Sequence, residues 1–292
     1  MKFATLEVSN QQFVALVDAD TQRYWAVQDL VPGFSGDAVD LVSQFESLRS
    51  RLQPVGDGKP LADATLLAPI LHPRRNIFCI GKNYHEHAAE FSNSGFDTGA
   101  KPGELSPVAP NVFTKPASTI VGPGAKVPSH AGVTKELDYE AELVVVIGKG
   151  GKGISKADAY DHVFGYMIAN DFTARDLQKL HRQWFLGKSL DGFCPSGPYL
   201  VSADEVDLDT MTVKCWINGE LRQNAPVSQL IFDIPTIIET ISAGITLQPG
   251  DMIATGTPAG VGIGFNPPRF LKSGDHMRIE ITGLGILENE VE

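Results

Sequence analysis

From residue 76 onward the chain sets short apolar runs between Gly and Pro punctuation, a pattern of strands joined by turns rather than of long helices. The runs Asn76 to Ile80, Leu143 to Ile147, Phe164 to Asn170, Tyr199 to Ser202, Thr212 to Ile217, Met252 to Thr255 and Met277 to Ile281 predict strands. Leu143-Val-Val-Val-Ile147 is apolar at every position, so burial on both faces is expected. Helices are the minority, over Asn83 to Phe91, Lys156 to His162 and Ile234 to Ala243. Asp233 before Ile234-Pro235 reads as an N-cap with Pro in the first turn, and Asn83 and Glu86 have capping-box-like spacing. Ahead of this region, Phe13 to Val17 predicts a strand and Asp37 to Leu52 a helix, with the run Leu66 to Ile70 closing the segment. The expected fold is mostly β with minor α and mixed or antiparallel sheets. Residues 1–70 would form a small N-terminal α+β domain and 71–292 the main one.

Composition narrows the class. A chain of 292 residues that is 42% hydrophobic can bury a sizeable core. The 29 Gly and 19 Pro are spread along it, which points to turns and not to a disordered tract. With a net charge of -11 and scattered basic residues, nucleic-acid binding is not expected. The charge does not exclude a small anionic ligand, because a bound cation and one or two lysines reverse the potential inside a single pocket. Cys79, Cys194 and Cys215 are odd in number and lack CxxC spacing, so neither disulfides nor a thiolate site is indicated and a reducing cytoplasm is the expected compartment. The opening residues lack the apolar core of a secretion signal, and no run reaches the roughly 18 apolar residues of a membrane span.

The chemistry concentrates in a few segments. In Asp138-Tyr-Glu-Ala-Glu-Leu143, Glu140 and Glu142 are two apart and share one strand face, directly before the deeply apolar run. They either face water or, where the strand enters the core, require a cation to offset desolvation. Asp171 ends the run Phe164 to Asn170 and is either a helix N-cap or a third carboxylate held at a cleft. Three oxygen donors without His or Cys suit Mg²⁺, Mn²⁺ or Ca²⁺ better than Zn²⁺. On the helix after Asn83, His87 and Glu90 stand at i,i+3, either a base with its orienting carboxylate or an ordinary solvated face. Lys188 lies in Gly187-Lys-Ser189 and is either a surface group or a cation facing developing negative charge. The loop Thr255-Gly-Thr-Pro-Ala-Gly-Val-Gly-Ile-Gly264 fails both nucleotide-loop templates. It reads as a plain turn or as close backbone approach to a small ligand, with Thr257 a donor.

Together these segments resemble the fumarylacetoacetate hydrolase family, from about Asn76 to Glu290. The matching motifs, in the family's order, are Ile80-Gly-Lys-Asn-Tyr84 with His87 and Glu90, Asp138 to Leu143, Asn170-Asp-Phe-Thr-Ala-Arg-Asp-Leu-Gln178, Gly187-Lys-Ser189, and Thr255 to Gly262. The resemblance implies a compact mixed β-sandwich roll, a homodimer, and Glu140, Glu142 and Asp171 as ligands of Mg²⁺, or of Mn²⁺ or Ca²⁺. It implies His87 and Glu90 as a water-activating pair on a segment that in several members behaves as a lid. Lys188 would polarise substrate or stabilise an enolate, with Lys82, Gln178 and Thr257 as substrate contacts.

Fumarylacetoacetase itself differs by a larger N-terminal domain and an additional Asp ligand, which has no counterpart between Asn76 and Phe91. The resemblance is therefore to the shorter members, several of them enzymes of aromatic catabolism. They include acylpyruvate and fumarylpyruvate hydrolases, oxaloacetate decarboxylases and the 2-hydroxyhepta-2,4-diene-1,7-dioate isomerase/decarboxylases. The expected activity is metal-dependent cleavage of a C–C bond in a 2,4-dioxo acid through an enolate. Decarboxylation or isomerisation is the alternative within the same chemistry. A non-catalytic 2-oxo-acid-binding protein is the alternative of another class, and retention of both the acidic triad and the His–Glu pair argues against it.

Overall fold

The computed structural model describes residues 1–95 and 107–292. Its centre is the strand Ala141–Ile147, buried at all seven positions as its uninterrupted apolar run demands. It pairs antiparallel with Val163–Asn170 on one side and Met252–Ala254 on the other. Beyond Met252–Ala254 the strand Ile77–Gly81 pairs in parallel and Asn111–Lys115 antiparallel, so the 12-stranded sheet is mixed. Alternate positions of the central strand serve two cores, as the two-residue period requires. Leu143, Val145 and Ile147 pack toward the second, five-stranded sheet, meeting Val213, Cys215 and Ile279. Val144 and Val146 pack on the other side with Phe3, Phe164 and Met252. Full burial of side chains of this size contributes about 1.5–3 kcal/mol each. The result is the mostly β, mixed-sheet roll expected from the sequence.

Residues 1–70 extend the same sheet. Strand Lys2–Val8 pairs antiparallel with Cys194–Ser202, matching Phe3 to Leu200. Helix Ala38–Leu48 covers it, capped by Asp37 and Asp40 in a capping box, and Phe45 meets Phe3 and Phe164 edge-on. Arg74 fixes that cap through both oxygens of Asp37, at 2.7 and 3.0 Å.

Two local expectations are corrected. The stretch Lys156 to His162 forms only a 3-10 turn, Ala159–His162, because Val163 must already enter the strand beside Ile147. The helix expected from Asn83 runs His85–Asn93 with Tyr84 at its N-cap and no side-chain cap. The Asn83 amide works instead across the fold, donating to the carbonyls of Thr255 and Phe232 at 2.8 and 3.1 Å and accepting the Phe232 N–H at 2.8 Å. Three tertiary hydrogen bonds outweigh one local cap. Among the described residues no helix is long and apolar enough to cross a membrane.

Candidate active site

The carboxylate cluster follows from strand register. Ala141 stands opposite Asn170 at the paired ends of two core strands, and the Asp171 N–H donates to the Glu140 carbonyl at 2.8 Å. Glu140 just precedes the strand, Glu142 is two positions on, and Asp171 leaves the neighbouring strand at the same end. Their carboxylate oxygens lie within 4.8 Å of one another, and the three residues are 5%, 1% and 1% exposed. The water-facing reading of Glu140 and Glu142 is thereby excluded.

Three buried carboxylates need compensating charge. The Lys188 ammonium lies 2.7 Å from both Glu140 and Asp171, and Lys115 lies 2.7 Å from the other Asp171 oxygen. Arg175 reaches Glu140 and Asp138, each at 2.8 Å. Burial raises the Glu140 carboxyl, but Lys188 and Arg175 outweigh it and hold the group at about 2. Glu142 goes the other way, pushed well above the carboxylate range by burial and by the charges of Asp171 and Glu140. Its direct donor is the Gly256 N–H at 2.8 Å. Burial disfavours the Lys188 ammonium, yet Asp171 and Glu140 raise its proton affinity, so the side chain is a fixed cation. The surplus negative charge at Glu142 and the all-oxygen donor set fit a hard divalent cation.

The His–Glu pair is assembled by a helix and a glycine loop. His87 and Glu90 share a face of His85–Asn93, and Nδ1 lies 3.0 Å from one Glu90 oxygen. The other Glu90 oxygen accepts the Gly260 N–H at 3.0 Å. Four residues on, Gly264 passes so close that a Cβ there would sit 1.7 Å from that oxygen. The same loop donates the Gly262 and Ile263 N–H groups to Asp138, at 2.6 and 3.1 Å. With the Gly256 N–H on Glu142, the close backbone approach thus serves three of the protein's own carboxylates. Thr257 is buried and accepts from Gln223 at 2.7 Å.

One pocket collects most of the expected residues. Lys82, His87, Glu140, Glu142, Gln178, Lys188 and Thr257 line it, while Glu90 and Asp171 stand behind His87 and Lys188. Sequence reasoning missed three charged groups. Arg175 also lines the pocket and donates to Gln178 at 3.1 Å; Asp138 holds Arg175; Lys115 holds Asp171. Arg175 and Asp138 fall inside quoted motifs, so their nearness to carboxylates was a usable signal. Lys115 offered none.

A buried carboxylate cluster flanked by fixed cations, with His87 lining the same pocket, is the arrangement of a divalent-metal-dependent enzyme. A family model described as fumarylacetoacetate (FAA) hydrolase C-terminal matches residues 76–292, and the chain belongs to that family. It is 44% identical over 310 aligned residues to the oxaloacetate tautomerase YisK of Bacillus subtilis, covering 100% of each chain. The structure of a fumarylacetoacetate hydrolase from Exiguobacterium antarcticum superposes with a TM-score of 0.82 at 38% identity, covering 100% of this chain and 99% of that one. Maleylpyruvate hydrolase from Sphingobium sp. SYK-6, solved with manganese(II) and pyruvate, gives 0.77 at 31% identity, covering 100% and 98%.

Proposed function

We propose that this enzyme interconverts the keto and enol forms of a short 2-oxo diacid of the oxaloacetate type, with Mg²⁺, Mn²⁺ or Ca²⁺ held by Glu140, Glu142 and Asp171. The observation that carries the proposal is that His87, buried and paired with Glu90 at 3.0 Å, lines the same pocket as Glu140, Glu142 and the cations Lys188 and Arg175. The full-length likeness to an oxaloacetate tautomerase supports it. A divalent cation held by Glu140, Glu142 and Asp171 would supply Lewis acidity that makes the C–H beside the 2-oxo group easier to deprotonate. Glu90 occupies His87 Nδ1, which leaves Nε2 to take the proton from C3 and return it to oxygen or carbon. Lys188 stabilises the negative charge on the enolate oxygen as it forms, and Arg175, Gln178, Lys82 and Thr257 bind and orient the carboxylates. Decarboxylation instead breaks the C3–C4 bond, releases CO₂ and leaves a pyruvate-type enolate that the same cations would stabilise until C3 takes a proton.

C–C hydrolysis of a 2,4-dioxo acid remains the second reading, favoured by the likeness to a maleylpyruvate hydrolase and by the ability of His87 to activate water. The proposal includes a cytoplasmic homodimer with residues 1–70 as a small N-terminal unit. The test is chelated protein resupplied with Mg²⁺ or Mn²⁺. We expect metal-restored loss of oxaloacetate enol absorbance above the buffer rate. Pyruvate release from acylpyruvates without effect on oxaloacetate would replace tautomerisation with hydrolysis.

A further inference from the structure

The pocket has a charged floor and an aromatic roof, and the roof has no role in the chemistry above. Trp184 forms its middle. The indole lies on Gly81 so closely that a Cβ there would meet the ring at 2.2 Å. It stands edge-on to Phe91 at 5.9 Å and to Phe113 at 5.2 Å between centroids. It therefore wedges between the strand Ile77–Gly81, the strand Asn111–Lys115 and the helix bearing His87 and Glu90. Trp184, Phe91 and Phe113 line the pocket together with Lys82, Arg175 and Lys188. The Trp184 carbonyl also accepts the Lys188 N–H at 3.0 Å, so a single turn carries both the roof and the cation of the floor.

We propose that Trp184 is a specificity-determining residue that limits the pocket to short 2-oxo acids and excludes longer acyl arms. The inference rests on the 2-oxo-acid reading and deepens it. In this proposal a ligand held by its 2-oxo-carboxylate end among the charged residues extends any acyl arm beyond the short diacid toward Trp184, which lines the same pocket. Because Trp184 packs against the backbone of Gly81 and two further rings, it cannot yield by a small side-chain shift. Removing the ring opens volume beside Gly81, Phe91 and Phe113, where Lys82 lies over Phe91 at 5.1 Å and Lys188 over Phe113 at 5.2 Å, and the added room admits the methylenes of a longer arm.

The experiment is calorimetric binding of pyruvate, 2-oxobutanoate, 2-oxopentanoate and 2-oxohexanoate to Mn²⁺-loaded wild type, Trp184→Ala and Trp184→Phe, with Mn²⁺ affinity measured for each. Wild-type affinity should fall along the series. Trp184→Ala should raise 2-oxohexanoate relative to pyruvate by tenfold or more with Mn²⁺ binding retained, and Trp184→Phe should lie between. An unchanged length preference in either variant that still binds Mn²⁺ overturns the proposal, as does a wild type that binds the whole series equally. Should Trp184→Ala fail to fold, Trp184→Phe decides by the same ratio. Wild type that binds none of the four removes the 2-oxo-acid reading and this inference with it, whereas intact pyruvate binding with unchanged selectivity removes only the role of Trp184.

Discussion

Gly264 and Glu90 are packed so that any side chain at the first displaces the second: a Cβ on Gly264 would stand 1.7 Å from a Glu90 carboxylate oxygen. That oxygen accepts the Gly260 N–H, and the other faces His87. Gly264 is not among the residues with left-handed backbone, so alanine is accepted by the main chain and only the carboxylate obstructs it. Gly264→Ala should therefore act as a lesion of the base. We expect kcat to fall about 10²-fold, the low end of the range for losing general-base assistance. Mn²⁺ affinity should match wild type, because the triad stands on other elements. Steady-state kinetics beside a Mn²⁺ titration checks both.

Glu142 makes a prediction about stability. Its folded-state carboxyl lies well above the ordinary value of 4.5, pushed there by burial and then by Asp171 and Glu140. Between the two values the folded chain holds a proton that the unfolded chain has released, so this group costs stability as pH rises through that window. Glu140 has the opposite sign: held at about 2, it stabilises above 4.5 and loses that contribution as pH falls toward 2. Glu142→Gln keeps an acceptor for the Gly256 N–H and removes the surplus charge. Chelated Glu142→Gln should be more stable than chelated wild type at neutral pH by roughly 1–3 kcal/mol, with the difference shrinking toward pH 4.5. It should also lose the stabilisation that Mn²⁺ gives wild type. Denaturant titrations with and without Mn²⁺ across pH read all three.

Much of this arrangement was legible because it was written in local pattern. The run from Leu143 to Ile147 announced a strand buried on both faces, and the spacing of Glu140 and Glu142 placed them together at its head. Asp233 announced the start of the helix Ile234–Ser242, where it accepts the Thr236 N–H. What stayed hidden depends on distant partners. Lys115 and Arg175 look like surface cations in one dimension, yet both are 1% exposed, because the carboxylates that neutralise them arrive from other strands. Asn83 had the spacing of a cap, but Thr255 and Phe232, far along the chain, offered its amide more. Trp184 carried no signal, since an aromatic in a short irregular segment gains meaning only when Gly81 and Phe113 pack against it.

Lys115 tests how the cluster is balanced. Its ammonium pairs with Asp171 and donates to the carbonyls of Phe172 and Lys188, tying a ligand strand to the turn that bears Lys188. Lys115→Met keeps the volume and removes the charge. Leaving a buried carboxylate short of one partner costs about 3–5 kcal/mol, and a divalent cation supplies the missing positive charge. The chelated variant should lose stability by that order, and Mn²⁺ should raise its melting temperature by more than it raises that of wild type. Equal Mn²⁺-induced shifts would show that Lys115 does not share the charge of the cation site.

Arg175 tests geometry rather than charge. Its three nitrogens meet three oxygens: Nε donates to Asp138 at 2.8 Å, one terminal nitrogen donates to Gln178 at 3.1 Å, and the other is ion-paired with Glu140 at 2.8 Å. Asp138 is in turn fixed by the N–H groups of Tyr139, Gly262 and Ile263, so the guanidinium is held by the loop that also holds Glu90. A lysine carries the same charge but not a planar fork, and its single ammonium cannot span acceptors on three elements. Arg175→Lys should therefore behave like Arg175→Ala, with kcat/KM reduced about 10²–10³-fold, the magnitude associated with losing one preorganised donor in a buried site. Asp138→Asn should show the same direction with a smaller loss, because it disturbs Arg175 without removing it. Near-wild-type turnover by Arg175→Lys would mean that the pocket needs only a positive charge at this position, and that the Asp138–Arg175–Gln178 chain is structural.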